Sequence, residues 1–88
     1  SETRLAYTHY RTSYELAKHY RDEVLPLQKK ITDEVLLRYN GMLISTFELL
    51  AQSQTQVDSM NAYLAALQEF WLAEAELTKS LQGTADAG

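Results

Sequence analysis

Cysteine is absent from this chain of 88 residues, proline occurs once and glycine three times. Without cysteine there is neither a disulfide framework nor a thiolate metal site. So few prolines and glycines leave little punctuation for turns, and the elements must be few and long. A basic surplus is also missing: eight basic and twelve acidic side chains give a formal net charge of −4. Nucleic-acid binding, which needs that surplus, is not expected. No uninterrupted apolar run reaches the roughly 18 residues of a membrane-spanning helix. No apolar leader follows Ser1-Glu-Thr-Arg4, and the helical pattern is already under way there, as expected of a segment of a longer chain. With 45% apolar residues the composition is that of a folded chain, and the length allows one domain at most.

The punctuation that remains is placed informatively. Pro26 stands alone, Gly41 follows Asn40 near the midpoint, and Gly83 and Gly88 bound a stretch of small residues. Between these marks Leu, Ala, Glu, Gln and Lys are frequent, all good helix formers. In the first half Tyr10, Tyr14, Ala17, Tyr20, Val24, Leu27, Ile31, Val35 and Tyr39 recur at steps of three or four, the period of one helix face. In the second half Leu43, Phe47, Leu50, Val57, Met60, Leu64, Leu67 and Trp71 follow the same spacing, with Gln54 as a polar interruption. Beside them runs a narrow stripe of Ala51, Ala62, Ala65, Ala66 and Ala73. The second helix thus offers one bulky and one narrow contact face. The tyrosines read as packing residues, and the polar run Gln52-Ser-Gln-Thr-Gln56 reads as a water-facing stretch.

Asn40-Gly41 is expected to end the first helix, since both residues tolerate a left-handed backbone. Ser45 and Glu48 then form a capping box, flanked by Ile44 and Leu49 at the staple positions. The spacing predicts an all-α fold, a long antiparallel two-helix coiled-coil hairpin over residues 1–83. Its helices cover about 2–39 and 46–82, with a turn over about 40–45 and a flexible tail over 84–88. Pro26 either kinks the first helix or breaks it; the apolar stripe keeps phase through Val24, Leu27 and Ile31, which favours the kink. At about 1.5 Å per residue each helix is roughly 55 Å long, too long for a globule. Two helices share one seam and enclose no core. Bulky residues on other faces are therefore expected to meet further helices, from another copy or from a longer chain. Residues 1–40 carry seven basic and six acidic side chains, and residues 41–88 carry one and six. Antiparallel pairing would set the more basic helix beside the acidic one, but the preferred reading is that these are mostly solvated faces, since exposed pairs contribute only about 0–1 kcal/mol.

No constellation for catalysis stands out, and neither enzymatic activity nor a cofactor is expected. A single turn glycine makes no phosphate loop, and no serine or threonine sits in a nucleophile setting. Glu15, His19 and Glu23 fall at four-residue steps on one face, a spacing open to a divalent metal. An exposed charged face is the preferred reading, and no metal site is expected.

Several spaced pieces of the chain carry a family likeness. They are Tyr20-Arg-Asp-Glu-Val-Leu-Pro-Leu27, Leu37-Arg-Tyr-Asn-Gly-Met-Leu-Ile-Ser45, Phe47-Glu-Leu-Leu-Ala51, Tyr63-Leu-Ala-Ala-Leu67 and Phe70-Trp-Leu-Ala-Glu-Ala-Glu-Leu77, ending at Leu81-Gln-Gly83. Together they resemble the outer-membrane efflux proteins of the TolC family over roughly residues 5–83. The resemblance implies one coiled-coil hairpin from the periplasmic α-helical tunnel of a trimeric channel of a Gram-negative bacterium, exporting drugs or heavy metals. It implies a tip formed by Tyr39, Gly41, Met42, Leu43 and Ser45, docking a periplasmic adaptor protein that links to an inner-membrane pump. Glu48 falls where the family often has an acidic residue before the returning helix. Two departures stand out. Only Asn40 separates the tip tyrosine and glycine, where two residues are commoner. Met42, Leu43 and Ile44 are apolar where some members place a basic gate residue, so apolar docking rather than an ionic gate is implied. The competing expectation is a free-standing helical interaction module, a dimeric four-helix bundle. Self-association as a dimer or larger is expected of the isolated chain.

Overall fold

The computed structural model describes residues 1–87, with side chains described through Gly83. The chain forms α1 (Glu2–His19), a π-helical turn (Tyr20–Val24), α2 (Leu25–Asn40) and α3 (Thr46–Ala87). The first three run end to end as one helical arm, and α3 returns along it. No strand occurs among the described residues. The hairpin measures 69 × 16 × 14 Å with a radius of gyration of 19.5 Å, against about 12 Å for a compact globule of this length. The all-α, elongated expectation is met. The second helix does not end near residue 82 but continues through Gly83 to Ala87. Gly83 adopts no positive φ, so it supplies no left-handed stop. The side chains of the expected tail over 84–88, and Gly88 as a whole, lie outside the described residues.

The seam between the arms follows a heptad. On α3 the inward residues are Leu49, Gln52, Gln56, Ser59, Tyr63, Ala66, Phe70, Ala73, Leu77 and Ser80, each buried or half-buried. Their steps alternate strictly between three and four, the a/d pattern of a coiled coil. Facing them are Thr3, Ala6, Tyr10, Ser13 and Ala17 on α1 and Tyr20 at the start of the π-helical turn. The most deeply buried side chains are small: Ala6, Ala17, Ala66, Ser13 and Ala73, the last with 0% exposure. Small residues let two helix backbones approach closely. The gap is sealed by aromatics, with Phe70 packed against Tyr10 and Tyr14 at centroid distances of 5.4 and 5.8 Å.

This corrects the expected assignment of faces. The bulky stripe Phe47, Leu50, Val57, Met60, Leu64 and Trp71 is exposed, Leu67 is half-buried beside the seam, and of the alanine stripe Ala66 and Ala73 lie on the seam itself. Conversely Gln52 and Gln56, expected to face water, lie on the seam. The Gln52 side-chain amide donates to Gln28 Oε1 at 2.9 Å and to Thr32 Oγ1 at 3.3 Å. Such a polar layer costs seam stability but fixes register.

Pro26 neither breaks the arm nor leaves an ordinary α-helix. The π-helical turn lies just before it, and its closing bond runs from the Leu25 N–H to the Tyr20 carbonyl, five residues apart. Backbone dihedrals at His19, Tyr20, Val24 and Leu25 all stay right-handed helical. The turn holds one extra residue, and the seam shows where it went. Before it the a positions run Thr3, Tyr10, Ala17, Val24; after it they run Leu25, Thr32, Tyr39, with d positions Gln28 and Val35. Val24 and Leu25 are both half-buried, two residues doing the work of one heptad position. A one-residue insertion rotates everything beyond it by about 100°. That rotation carries Leu27 and Ile31 off the seam, leaving them 56% and 37% exposed, and brings Gln28 and Thr32 in.

Within the turn Arg21 grips its neighbour Asp22 in a two-pronged pair, Nε to Oδ1 at 2.7 Å and Nη2 to Oδ2 at 3.1 Å. That hydrogen bonding holds the Asp22 carboxyl below the usual carboxylate range. Its small contribution is present above the unfolded carboxyl's range and is lost as pH falls through the folded one. As expected of mostly solvated faces, the charges seldom pair between the arms. Among the described residues the ion pairs bridging the arms are those of His9, with Glu69 at 2.7 Å and Glu76 at 3.5 Å. The others join residues one or four apart in the same arm.

Candidate functional site

The tip is built by two caps placed back to back. At the end of α2 the Met42 N–H donates to the Tyr39 carbonyl at 2.9 Å and the Leu43 N–H to the Arg38 carbonyl at 2.8 Å. These are the two bonds of a Schellman motif, which needs one left-handed residue between them. That residue is Met42, with φ 61°. Gly41, expected in that role, has φ −82° and ψ 4°, a conformation open to any residue. Three residues on, Ser45 Oγ accepts the Glu48 N–H at 3.2 Å, the first half of the expected capping box.

The two caps present an apolar point. Met42 is 92% exposed, Phe47 84% and Leu43 76%. A shallow depression beside them is lined by Tyr39, Asn40, Met42, Ile44, Ser45 and Thr46. Of the residues the sequence put forward, Tyr39 is half-buried at the end of the seam, Gly41, Met42 and Leu43 lie in the turn, Ser45 is the cap, and Glu48 is exposed in the first turn of α3. Phe47 belongs with them but counts in the sequence toward the long apolar stripe. Its place just after the Ser45 cap was the available signal. A strained residue that is also bare to solvent stabilises nothing locally. Moving the glycine character by one position should show this. Met42→Gly is expected to stabilise the chain by about 1 kcal/mol, and Gly41→Ala to be neutral or slightly stabilising. A Cβ at Gly41 meets only ordinary contacts, at 3.5 Å or more. Urea unfolding followed by circular dichroism measures both. Ser45→Ala, by contrast, is expected to cost about 1 kcal/mol in the same assay through the lost cap.

The second feature is the outer flank of α3. Leu50, Val57, Leu64 and Trp71 recur every seven residues, and Ser53, Met60 and Leu67 interleave with them. All are displaced by one residue from the seam positions. They make a second heptad stripe about 100° around the helix from the first. Its four heptad residues are 52–62% exposed. A helix apolar on two such stripes is shaped for two neighbours, and one of them is the partner arm.

The candidate metal triplet does not assemble. His19 Nδ1 lies 2.7 Å from Glu23 Oε2, but Glu15 turns away to Arg11 at 3.2 Å. No group of three metal-capable side chains occurs among the described residues. No helix of the described chain is long and apolar enough to cross a membrane. Comparison with protein-family models, with curated proteins and with solved structures returned no significant match.

Proposed function

We propose that this chain is a wall segment of a larger helical tube, as in the periplasmic tunnel of the TolC-like efflux channels that its sequence resembles. The reading has it packed beside further hairpins of a trimeric outer-membrane assembly for drug or heavy-metal export. The observation that carries it is the second heptad stripe on α3. A tunnel helix needs a neighbour on each side, and α3 has one seam filled and one bare. The exposed apolar point of Met42, Leu43 and Phe47 is then the docking surface for the helical tip of a periplasmic adaptor, which in turn reaches the inner-membrane pump.

The test uses the complete gene product. Single cysteines at Leu64 and at Met42 can be placed in an otherwise cysteine-free background, labelled with a thiol-reactive photo-cross-linker and photoactivated in cells. The Leu64 variant is expected to link to a neighbouring helix of the same channel. The Met42 variant is expected to link to a different, adaptor-class protein. A Leu64 variant that links only to Leu64 or Met60 of a second identical chain in a closed soluble dimer overturns the tunnel. It would favour the free-standing four-helix module, which the same bare stripe also suits.

A further inference from the structure

The inserted residue can sit at more than one place along the first arm. With the π-helical turn at Tyr20–Val24, the seam of α2 is Leu25, Gln28, Thr32, Val35 and Tyr39. With the extra residue placed about three turns later, between Ile31 and Val35, the seam reads Val24, Leu27, Ile31, Val35 and Tyr39. Both ends of the arm keep their partners in either case, because the insertion is only relocated. Only the segment from Leu25 to about Asp33 turns, by about 100°. The first arrangement holds two polar residues inward, satisfied by Gln52. It leaves Leu27 and Ile31 partly bare. The second exchanges those hydrogen bonds for burial of two aliphatic side chains.

From this we infer that the first arm is a two-register element: a π-turn that migrates between Tyr20–Val24 and the stretch before Val35, with Pro26 holding it at the first position. Pro26 lacks an N–H, and its ring collides with the carbonyl four residues back in a regular α-helix. That carbonyl is Asp22, inside the π-turn, where a five-residue bonding pattern relieves the conflict. Moving the turn away restores α-geometry around Pro26 and brings the conflict back. The polar layer at Gln52 and the proline bias the arm toward the observed register; Leu27 and Ile31 pull toward the other. Turning this segment re-aims its charged residues, Lys29 and Lys30, without moving the tip.

The chain has no cysteine, so engineered disulfides report register cleanly. Three pairs suffice, each with and without Pro26→Ala: Gln28→Cys with Gln52→Cys for the observed register, Ile31→Cys with Gln52→Cys for the other, and Lys30→Cys with Gln52→Cys as a control. All three lose the Gln52 hydrogen bonds equally. In a fixed glutathione buffer the 28–52 pair is expected to close fastest when Pro26 is present. Pro26→Ala is expected to raise the 31–52 rate roughly tenfold and to slow the 28–52 pair, with 30–52 staying slow. A 31–52 rate no greater than the 30–52 rate in both backgrounds, or one indifferent to Pro26→Ala, overturns the inference.

Discussion

Ala73→Asp is expected to open the hairpin. Ala73 has no exposed surface, and it lies on the seam between Phe70, which packs on Tyr10, and Ser80, which bonds Thr3. A carboxylate there is cut off from water, with the neighbouring His9 already held by Glu69 and Glu76, and its burial carries a penalty of several kcal/mol. The arms escape that penalty by separating. The Phe70 contacts with Tyr10 and Tyr14, three residues away on α3, are then lost as well. We expect a destabilisation of about 3–4 kcal/mol, read as a large fall in the urea midpoint. The matched control is Ala75→Asp, two residues on and exposed. It carries the same change in charge and helix propensity and is expected to cost less than about 1 kcal/mol. Equal effects at the two positions would mean that the alanine seam does not hold the arms together.

The second large effect concerns association. The isolated chain is expected to assemble through the outer flank of α3, and Leu64→Glu with Trp71→Glu to leave it monomeric. Fully burying a large apolar side chain stabilises by roughly 1.5–3 kcal/mol, so removing two from an interface weakens association by roughly a thousandfold. Each glutamate also brings a charge that resists burial. Sedimentation across a concentration series gives the assembly state. Scattering from the double variant should return a radius of gyration near the 19.5 Å of the single hairpin. A wild-type chain that stays monomeric at high micromolar concentration removes the support for a second neighbour on α3.

Fold and tip were legible in the sequence because both rest on local rules. Ser45 caps because a hydroxyl beside free amides does so in any context, and the length of the helices follows from the scarcity of breakers. The faces were not legible, for a reason visible in α3. Two stripes with the same seven-residue period lie one residue apart: Leu50, Val57, Leu64, Trp71 and Leu49, Gln56, Tyr63, Phe70. Periodicity alone ranks them by bulk and selects the wrong one for the intrachain seam. The choice is made by Ala66 and Ala73, whose smallness permits an approach that leucines would block. On the first arm, reading Val24, Leu27 and Ile31 as one face assumed an unbroken 3.6-residue period. The shift shows only in the pairing of Gln28 and Thr32 with Gln52. At the tip the glycine drew the left-handed assignment away from Met42, because propensity favours glycine there and a strained methionine leaves no local signature.

The π-helical turn also bears on how this chain tolerates changes in length. The heptad of α3 runs unbroken from Leu49 to Ser80, whereas the opposite arm carries one residue more than its heptads require. Removing any one residue between Tyr20 and Val24 keeps the seam on either side in phase, at the cost of setting the Pro26 ring against the carbonyl four residues back in regular α-helix. Removing one elsewhere in α1 or α2 turns at least the segment between the deletion and the π-helical turn onto the wrong face. A gene encoding this hairpin can thus lose a single codon at one spot without disturbing the tip, whereas a gained codon adds a second surplus residue and turns everything beyond it by about another 100°.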